Sequence, residues 1–359
     1  MAQDMNDTVE FPDLGATLYL REPPESLTDE LPGLYSSYFC TPAYFDLYDH
    51  PANVNACVLT DPRHVILFST TGHTVDVLNK RIDIEPQSMR RVAAAIFRAI
   101  PSARRIRAEV KFPPAELRGP ARVTDEGDDL VVLLPETEDG YHAAIGKTTR
   151  KHLRQYSNQL HRRYPDFELT VLEREEITRG LLDQVLEWTR ERVIAKGDVS
   201  IYEEDPGSVE QVWGLLQHYG LALCGHVGGR CVAGQLLLHV GRETWIHTVG
   251  FESQYEDVHL GLLMTYFSLL ESIRRGCPSA HMLFGTPIYK KRLGAVPVTG
   301  YKVSLFRSTP YKPLYAQERA AQLVRDRRRI YWATRQAARQ RYHDARRRLG
   351  DLAGGTADG

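Results

Sequence analysis

Residues 221–251 read LALCGHVGGRCVAGQLLLHVGRETWIHTVGF, and the fold turns on this stretch. Leu221–Val227, Val232–Val240 and Thr244–Phe251 are apolar runs suited to a pleated, half-buried surface. Gly228-Gly229 and Gly241-Arg242 stand between them as tight turns, which makes the three runs an antiparallel meander. On the C-terminal side, Leu260–Gly276 is apolar on most faces and reads as a buried helix. Ala280–Phe284 then reads as a short strand, Ile288–Leu293 as a short helix and Gly300–Phe306 as a last strand. On the N-terminal side, Phe167–Leu172 is a strand. A helix follows over Ile177–Ile194, with Leu181, Val185 and Trp188 on one face, and another begins at Ser208. The resulting order is β-α-α-β-β-β-α-β-α-β, preceded by a basic helix from about Tyr141 to Arg163.

The first half has the same ingredients in weaker form. Val54–Leu59, Val65–Phe68 and Thr74–Leu78 read as strands. Pro86 opens a helix carrying Met89, Val92, Ala93, Ile96, Phe97 and Ile100 at helical spacing, and Pro101 closes it. Ile106, Ala108, Val110 and Phe112 alternate with charged residues as in a half-buried strand, and Leu130–Leu134 is apolar. Residues 1–50, rich in Pro, Asp and Glu, are expected to be irregular. Beyond Tyr311, arginines outnumber acids and one narrow apolar stripe remains, so 311–350 is expected to be a long basic helical arm. The tail 351–359 is expected to be disordered.

A chain of 359 residues exceeds what one ordinary core absorbs, so two lobes are expected, over 51–138 and 139–310. Hydrophobic residues at 42% and charged residues at 25% exclude a mainly disordered chain. A net charge of -1 excludes polyanion binding by bulk charge while leaving local patches open. No apolar run is long enough to cross a bilayer, and the acidic, polar start lacks the pattern of a secretory signal. The five cysteines form no CxxC and are odd in number, which points to reduced thiols and a cytoplasmic protein.

The second-half order resembles the GNAT acyltransferase fold, and within it the FemAB-like and CelD-like branch that carries the BioF-type acetyltransferase domain. Three segments carry the resemblance: Gly146–Arg154 opening the basic helix, Leu260-Gly261-Leu262-Leu263 opening the buried helix that closes at Arg275-Gly276-Cys277, and Phe284–Gly294 with its Phe-Gly, Tyr289-Lys290 pair and later glycine. The resemblance covers about 141–308 and implies an α/β (α+β) protein of two GNAT-like lobes, the first degenerate. Relatives commonly place an acidic residue between Phe-Gly and Tyr-Lys; here that turn is Thr286-Pro287-Ile288, so its role cannot be assigned to a residue.

Acyl transfer to an amine needs an anchored donor, a stabilised oxyanion and a deprotonated amine. The resemblance places donor phosphates at the buried helix's N-terminus, here His259, Leu260 and Gly261, although Glu256 and Asp257 stand just outside. It also gives Lys290 the oxyanion, with Tyr289 as acid or positioning group. Candidate bases are His247, among apolar neighbours on its strand, and Glu252 at the strand's end. Lys147, Arg150, Lys151 and Arg154 recur three and four apart as one cationic face, an anion grip or a solvated surface. No metal-ligand cluster or Walker loop is present.

The expectation is an N-acyltransferase without a resident cofactor, moving an acyl group from acyl-CoA or a carrier-protein thioester to a primary amine of a small metabolite. A Fem-like transferase drawing on aminoacyl-tRNA, with tRNA or carrier protein held by the arm at 317–349, is the rival enzyme. A catalytically silent GNAT-like module binding RNA or protein is the third reading.

Overall fold

Thirteen strands form one continuous mixed sheet in the computed structural model, which describes residues 7–49, 53–112, 120–195, 207–283 and 288–308. The described residues up to Leu305 form one compact unit; of the second, Phe306–Gly359, only 306–308 are described. The expected arm at 311–350 and the tail at 351–359 therefore lie outside the described residues.

The chain opens with β1 (Asp7–Phe11) and β2 (Ala16–Leu20), followed by short helical turns. The expectation of an irregular 1–50 is corrected here. β1 pairs with β2, and β2 pairs with β3 (Asn55–Thr60), burying Ala16 and Leu18. The signal was hidden because these strands supply the sheet's outer edge and need only one apolar face.

After β3 come β4 (Arg63–Thr71), β5 (Thr74–Val77), helix α1 (Pro86–Ala99), β6 (Arg105–Val110) and β7 (Ala121–Leu133). Two helices, α2 (Glu138–Ala144) and α3 (Lys147–Arg163), then lead to β8 (Glu168–Glu173), α4 (Arg179–Ala195) and α5 (Gly207–Tyr219). The single basic helix expected from Tyr141 is thus two, parted at Ile145-Gly146, where the backbone turns extended. The meander follows as β9 (Gly220–Val227), β10 (Arg230–Val240) and β11 (Glu243–Phe251). Then come α6 (Leu260–Arg274), β12 (Ser279–His281), α7 (Ile288–Arg292) and β13 (Val296–Phe306).

The two halves repeat one plan. β3-β4-β5 and β9-β10-β11 are antiparallel triplets; a helix follows each, and the next strand returns parallel to the triplet's last. The strands that come next are exchanged. β7, from the first half, pairs with β12 of the second, while β13 lies between β6 and β7. The first lobe closes where the second opens. Ile82 bridges to Val110 and exchanges backbone hydrogen bonds with Glu109 and Lys111, sealing the sheet beyond β5. In the second lobe β11 and β12 pair only at Thr244–Trp245 with Ala280–His281. β11 then runs on through Phe251 with no described strand on that side.

Candidate active site

The edge left open by β11 is shaped by one extra residue. Ile246 pairs with Leu237 and Thr248 with Leu236, so His247 stands opposite no residue of its own, a β-bulge. Bulges re-aim side chains and recur beside active sites. Here the carbonyl of Thr248 accepts from Gln235 Nε2 at 2.8 Å, and buried Gln235 in turn accepts from Thr265 Oγ1 of α6 at 3.3 Å. The Val249 carbonyl accepts from Thr189 Oγ1 and Arg192 Nη2 of α4, both at 3.0 Å. Side chains of α4 and of β10, the latter braced by α6, thus fix the bulge backbone.

His247 is partly exposed, yet its Nδ1 is sealed from solvent and has no hydrogen-bond partner. Burial pushes its pKa down to about 4, so the ring is neutral at neutral pH. The Arg192 guanidinium lies 5.4 Å from the Phe251 ring centroid. Burial lowers its pKa, while the neighbouring Tyr289 and Glu256 oppose that shift. Tyr289 of α7 is 37% exposed, and burial raises its phenol against the pull of Arg192. Arg192 therefore links the bulge to α7, through its bond to the Val249 carbonyl and its attraction to Tyr289.

Lys290, the next residue of α7, points inward. It is 7% exposed, and its Nζ donates to the carbonyls of Met282 at 2.5 Å and Leu283 at 3.4 Å. Burial lowers its pKa, and the Asp129 carboxylate opposes that. The helix ends at Gly294, whose φ of 92° suits glycine. The amides of Gly294 and Ala295 satisfy the carbonyls of Lys291 and Lys290. The glycine of the motif is thus the stop that fixes the Tyr289-Lys290 turn.

The other candidates lie apart. Glu252 accepts both Arg230 and Gln254 side chains, and the Arg230 hydrogen bonds hold its carboxyl below the usual range, leaving a weak base. At the α6 N-terminus Leu260 is fully buried, and a Cβ on Gly261 would meet Phe251 Cε1 at 2.4 Å, so packing explains this glycine. The His259 ring packs on Tyr156 with centroids 3.9 Å apart, and Asp257 is paired with Arg163. Lys147, Arg150, Lys151 and Arg154 are all exposed on α3, and Arg150 also donates to the His142 carbonyl at 2.8 Å. Among the described residues no group of three His, Cys, Asp or Glu is arranged to hold a metal ion, and no helix is long and apolar enough to cross a membrane.

Residues 147–291 match the acetyltransferase (GNAT) domain family. Over those residues the chain is similar to that domain, and its fold is GNAT-like. Its fold is also that of FemX, with a TM-score of 0.59 at 9% identity over 80-odd per cent of this chain, 83%, and 99% of that one. A conserved protein of unknown function from Bacteroides thetaiotaomicron is similar too, with a TM-score of 0.54 at 12% identity over 80% of this chain and 99% of that one. No curated protein matches the sequence. The GNAT domain accounts for the element order read from 167 onward, and the FemX likeness extends the fold across the first lobe.

Sequence reasoning missed Arg192, Gln235 and the bulge. Arg192 had a visible signal: Val185, Trp188, Thr189 and Arg192 fall at helical spacing, which places an arginine on a core-facing stripe. The bulge had none, because register depends on two strands at once.

Proposed function

We propose that the chain is an N-acyltransferase in which the opening between β11 and β12 receives an acyl donor and a primary amine. The observation that supports this reading is the bulged β11, unpaired beyond Trp245 on its β12 side, within the stretch that matches the GNAT family. The donor is a thioester of coenzyme A or a carrier protein, and the acceptor is a small metabolite. The amine nitrogen attacks the thioester carbonyl, the carbon–sulfur bond breaks, and the thiolate leaves with one of the amine's protons. The second proton of the starting ammonium passes to a base or to water; His247, with its pKa pushed down to about 4, and Glu252, held below the carboxylate range, are both weak acceptors for it. Lys290 supports the oxyanion, a contribution of about 3 to 4 kcal/mol to the barrier for a well-placed donor. Tyr289 positions the reacting groups.

An aminoacyl-tRNA donor is the second reading, favoured by the exposed cationic face of α3 at Lys147, Arg150, Lys151 and Arg154. Here the leaving group is the ribose hydroxyl of an ester rather than a thiol. The test is a donor screen on the full chain with pooled amines, reading free thiol from acyl-CoA and deacylated tRNA from aminoacyl-tRNA. Thiol release supports the first reading and deacylation the second. Consumption of neither, with any amine, rejects both and leaves a silent binding module.

A further inference from the structure

Beneath α7 lies a buried charge cluster that the acyl-transfer reading does not use. His281, on β12, has a carboxylate on each ring nitrogen: Asp129 Oδ2 of β7 is 2.5 Å from Nδ1, and Glu243 Oε2 of β11 is 2.7 Å from Nε2. With an acceptor at each end the ring carries both protons as an imidazolium. It stacks on Trp245, centroids 3.7 Å apart and planes at 10°. Burial works against the charge, but the bonds to Asp129 and Glu243 outweigh it and raise the ring's pKa.

Asp129 has a second oxygen to account for. Asp129 is 4% exposed, and its Oδ1 is buried with no hydrogen-bond partner. A buried carboxylate oxygen without a donor is costly unless a nearby positive charge compensates it. Backbone pairing places that charge. Leu130, next to Asp129, accepts from the Met282 amide at 2.7 Å and donates to the Leu283 carbonyl at 3.3 Å; the Met282 and Leu283 carbonyls are the two that hold Lys290 Nζ. Asp129, Glu243, His281 and Lys290 thus stand together as two acids and two bases. Tyr38 neighbours both Asp129 and Arg81, and Lys111 faces Glu243.

We propose that Asp129, held in place by the His281 imidazolium, is the counter-charge that keeps the buried Lys290 ammonium protonated and correctly placed beneath the β11–β12 opening. Asp129 and His281 are then positioning residues of the transferase, acting through Lys290; this rests on the role given to Lys290 above. Through its exchanged strand β7 the first lobe supplies an acid, whereas the sequence Thr286-Pro287-Ile288 carries none.

The test reads charge separately from turnover. In the resting full chain, lysine side-chain NMR follows the Lys290 titration, assigned by loss of the signal in Lys290→Arg. Asp129→Asn lowers the midpoint by at least about one pH unit, the usual size of one close opposite charge, and Asp129→Glu restores it. Turnover then loses its alkaline limb earlier: Lys290 is charged below its pKa, so activity falls at a lower pH in Asp129→Asn and recovers on acidification. Asp129→Asn combined with Lys290→Arg shows no such move. An unchanged Lys290 midpoint in folded Asp129→Asn overturns the proposal. Should that variant fail to fold, ring 15N shifts of His281 in the unaltered chain decide: an imidazolium at pH 7 supports it and a neutral ring overturns it. A shifted Lys290 midpoint in a chain that turns over no donor rejects the transferase reading while the charge coupling stands.

Discussion

Gly234 and Gly250 face each other across β10 and β11, and Val185 of α4 sits on both. A Cβ on Gly250 would lie 2.2 Å from the Val185 carbonyl oxygen and 3.0 Å from its carbon. Helix α4 would have to retreat by about 1 Å to restore ordinary contact. The obstacle is backbone, so no rotamer change relieves it, and Gly250→Ala should reach the upper end of the overpacking range, about 3 kcal/mol. At about 2 °C per kcal/mol for a large domain, the melting midpoint falls by about 6 °C. On Gly234 the Cβ meets Val185 Cγ2 at 2.3 Å, a side-chain atom. Gly234→Ala should therefore be rescued by Val185→Ala, and Gly250→Ala should not. Thermal melts of the four variants test this. Hydrogen exchange at the α4 amides around Thr189–Arg192 should rise in Gly250→Ala, because the helix carries both donors to Val249. A Gly250→Ala midpoint within 1 °C of the parent, or equal rescue of both glycines by Val185→Ala, refutes this account of the α4–β11 contact.

Lys290→Ala should lower turnover at least tenfold while the fold survives; unchanged turnover removes the lysine from the chemistry. Arg192→Met should lower turnover and raise exchange at the Val249–Phe251 edge, whereas a variant silent in both shows that Thr189 alone suffices. His247, with a pKa depressed to about 4 against an unfolded value near 6.5, makes the fold more stable above pH 6.5 than below. That stability is lost as pH falls from 6.5 through 4, by roughly 3 kcal/mol; a His247→Gln chain with the same acid sensitivity contradicts it. Replacing Lys147, Arg150, Lys151 and Arg154 by Gln should flatten the salt dependence of aminoacyl-tRNA use and leave acyl-CoA use intact. Equal loss with both donors assigns those four cations to folding or to a shared step.

The order of elements from 167 onward was legible because each depends on local pattern: an apolar run in Val232–Val240, period 3.6 in Ile177–Ile194, glycines at the turns. Pairing was not. Nothing local says that β7 joins β12, or that Thr248 skips past His247 to meet Leu236. The Tyr289-Lys290 turn was found as a motif, but its amine was expected to face the reacting carbonyl directly. The structure instead anchors it on the Met282 and Leu283 carbonyls, contacts set by tertiary packing. The Asp129–His281–Glu243 cluster was invisible for the same reason: its members lie on three strands that only the sheet brings together.

Strand exchange also explains why a degenerate lobe is retained. Among the described residues of the first lobe, Ile82 bridges the position matching the β11–β12 gap. The first lobe nevertheless supplies β7, the strand to which both β12 and β13 pair. Without β7 the short β12 would have a neighbour only on its β11 side, along two residues, too little to hold the segment that leads into α7. β7 also delivers Asp129 to His281. The first lobe therefore acts on the second as a scaffold: through β7 it pairs with β12 and β13 and places Asp129 beside His281. A truncated chain beginning at Glu138 would retain all of the matched residues, 147–291, and lose β7, so binding and turnover should fail together rather than separately.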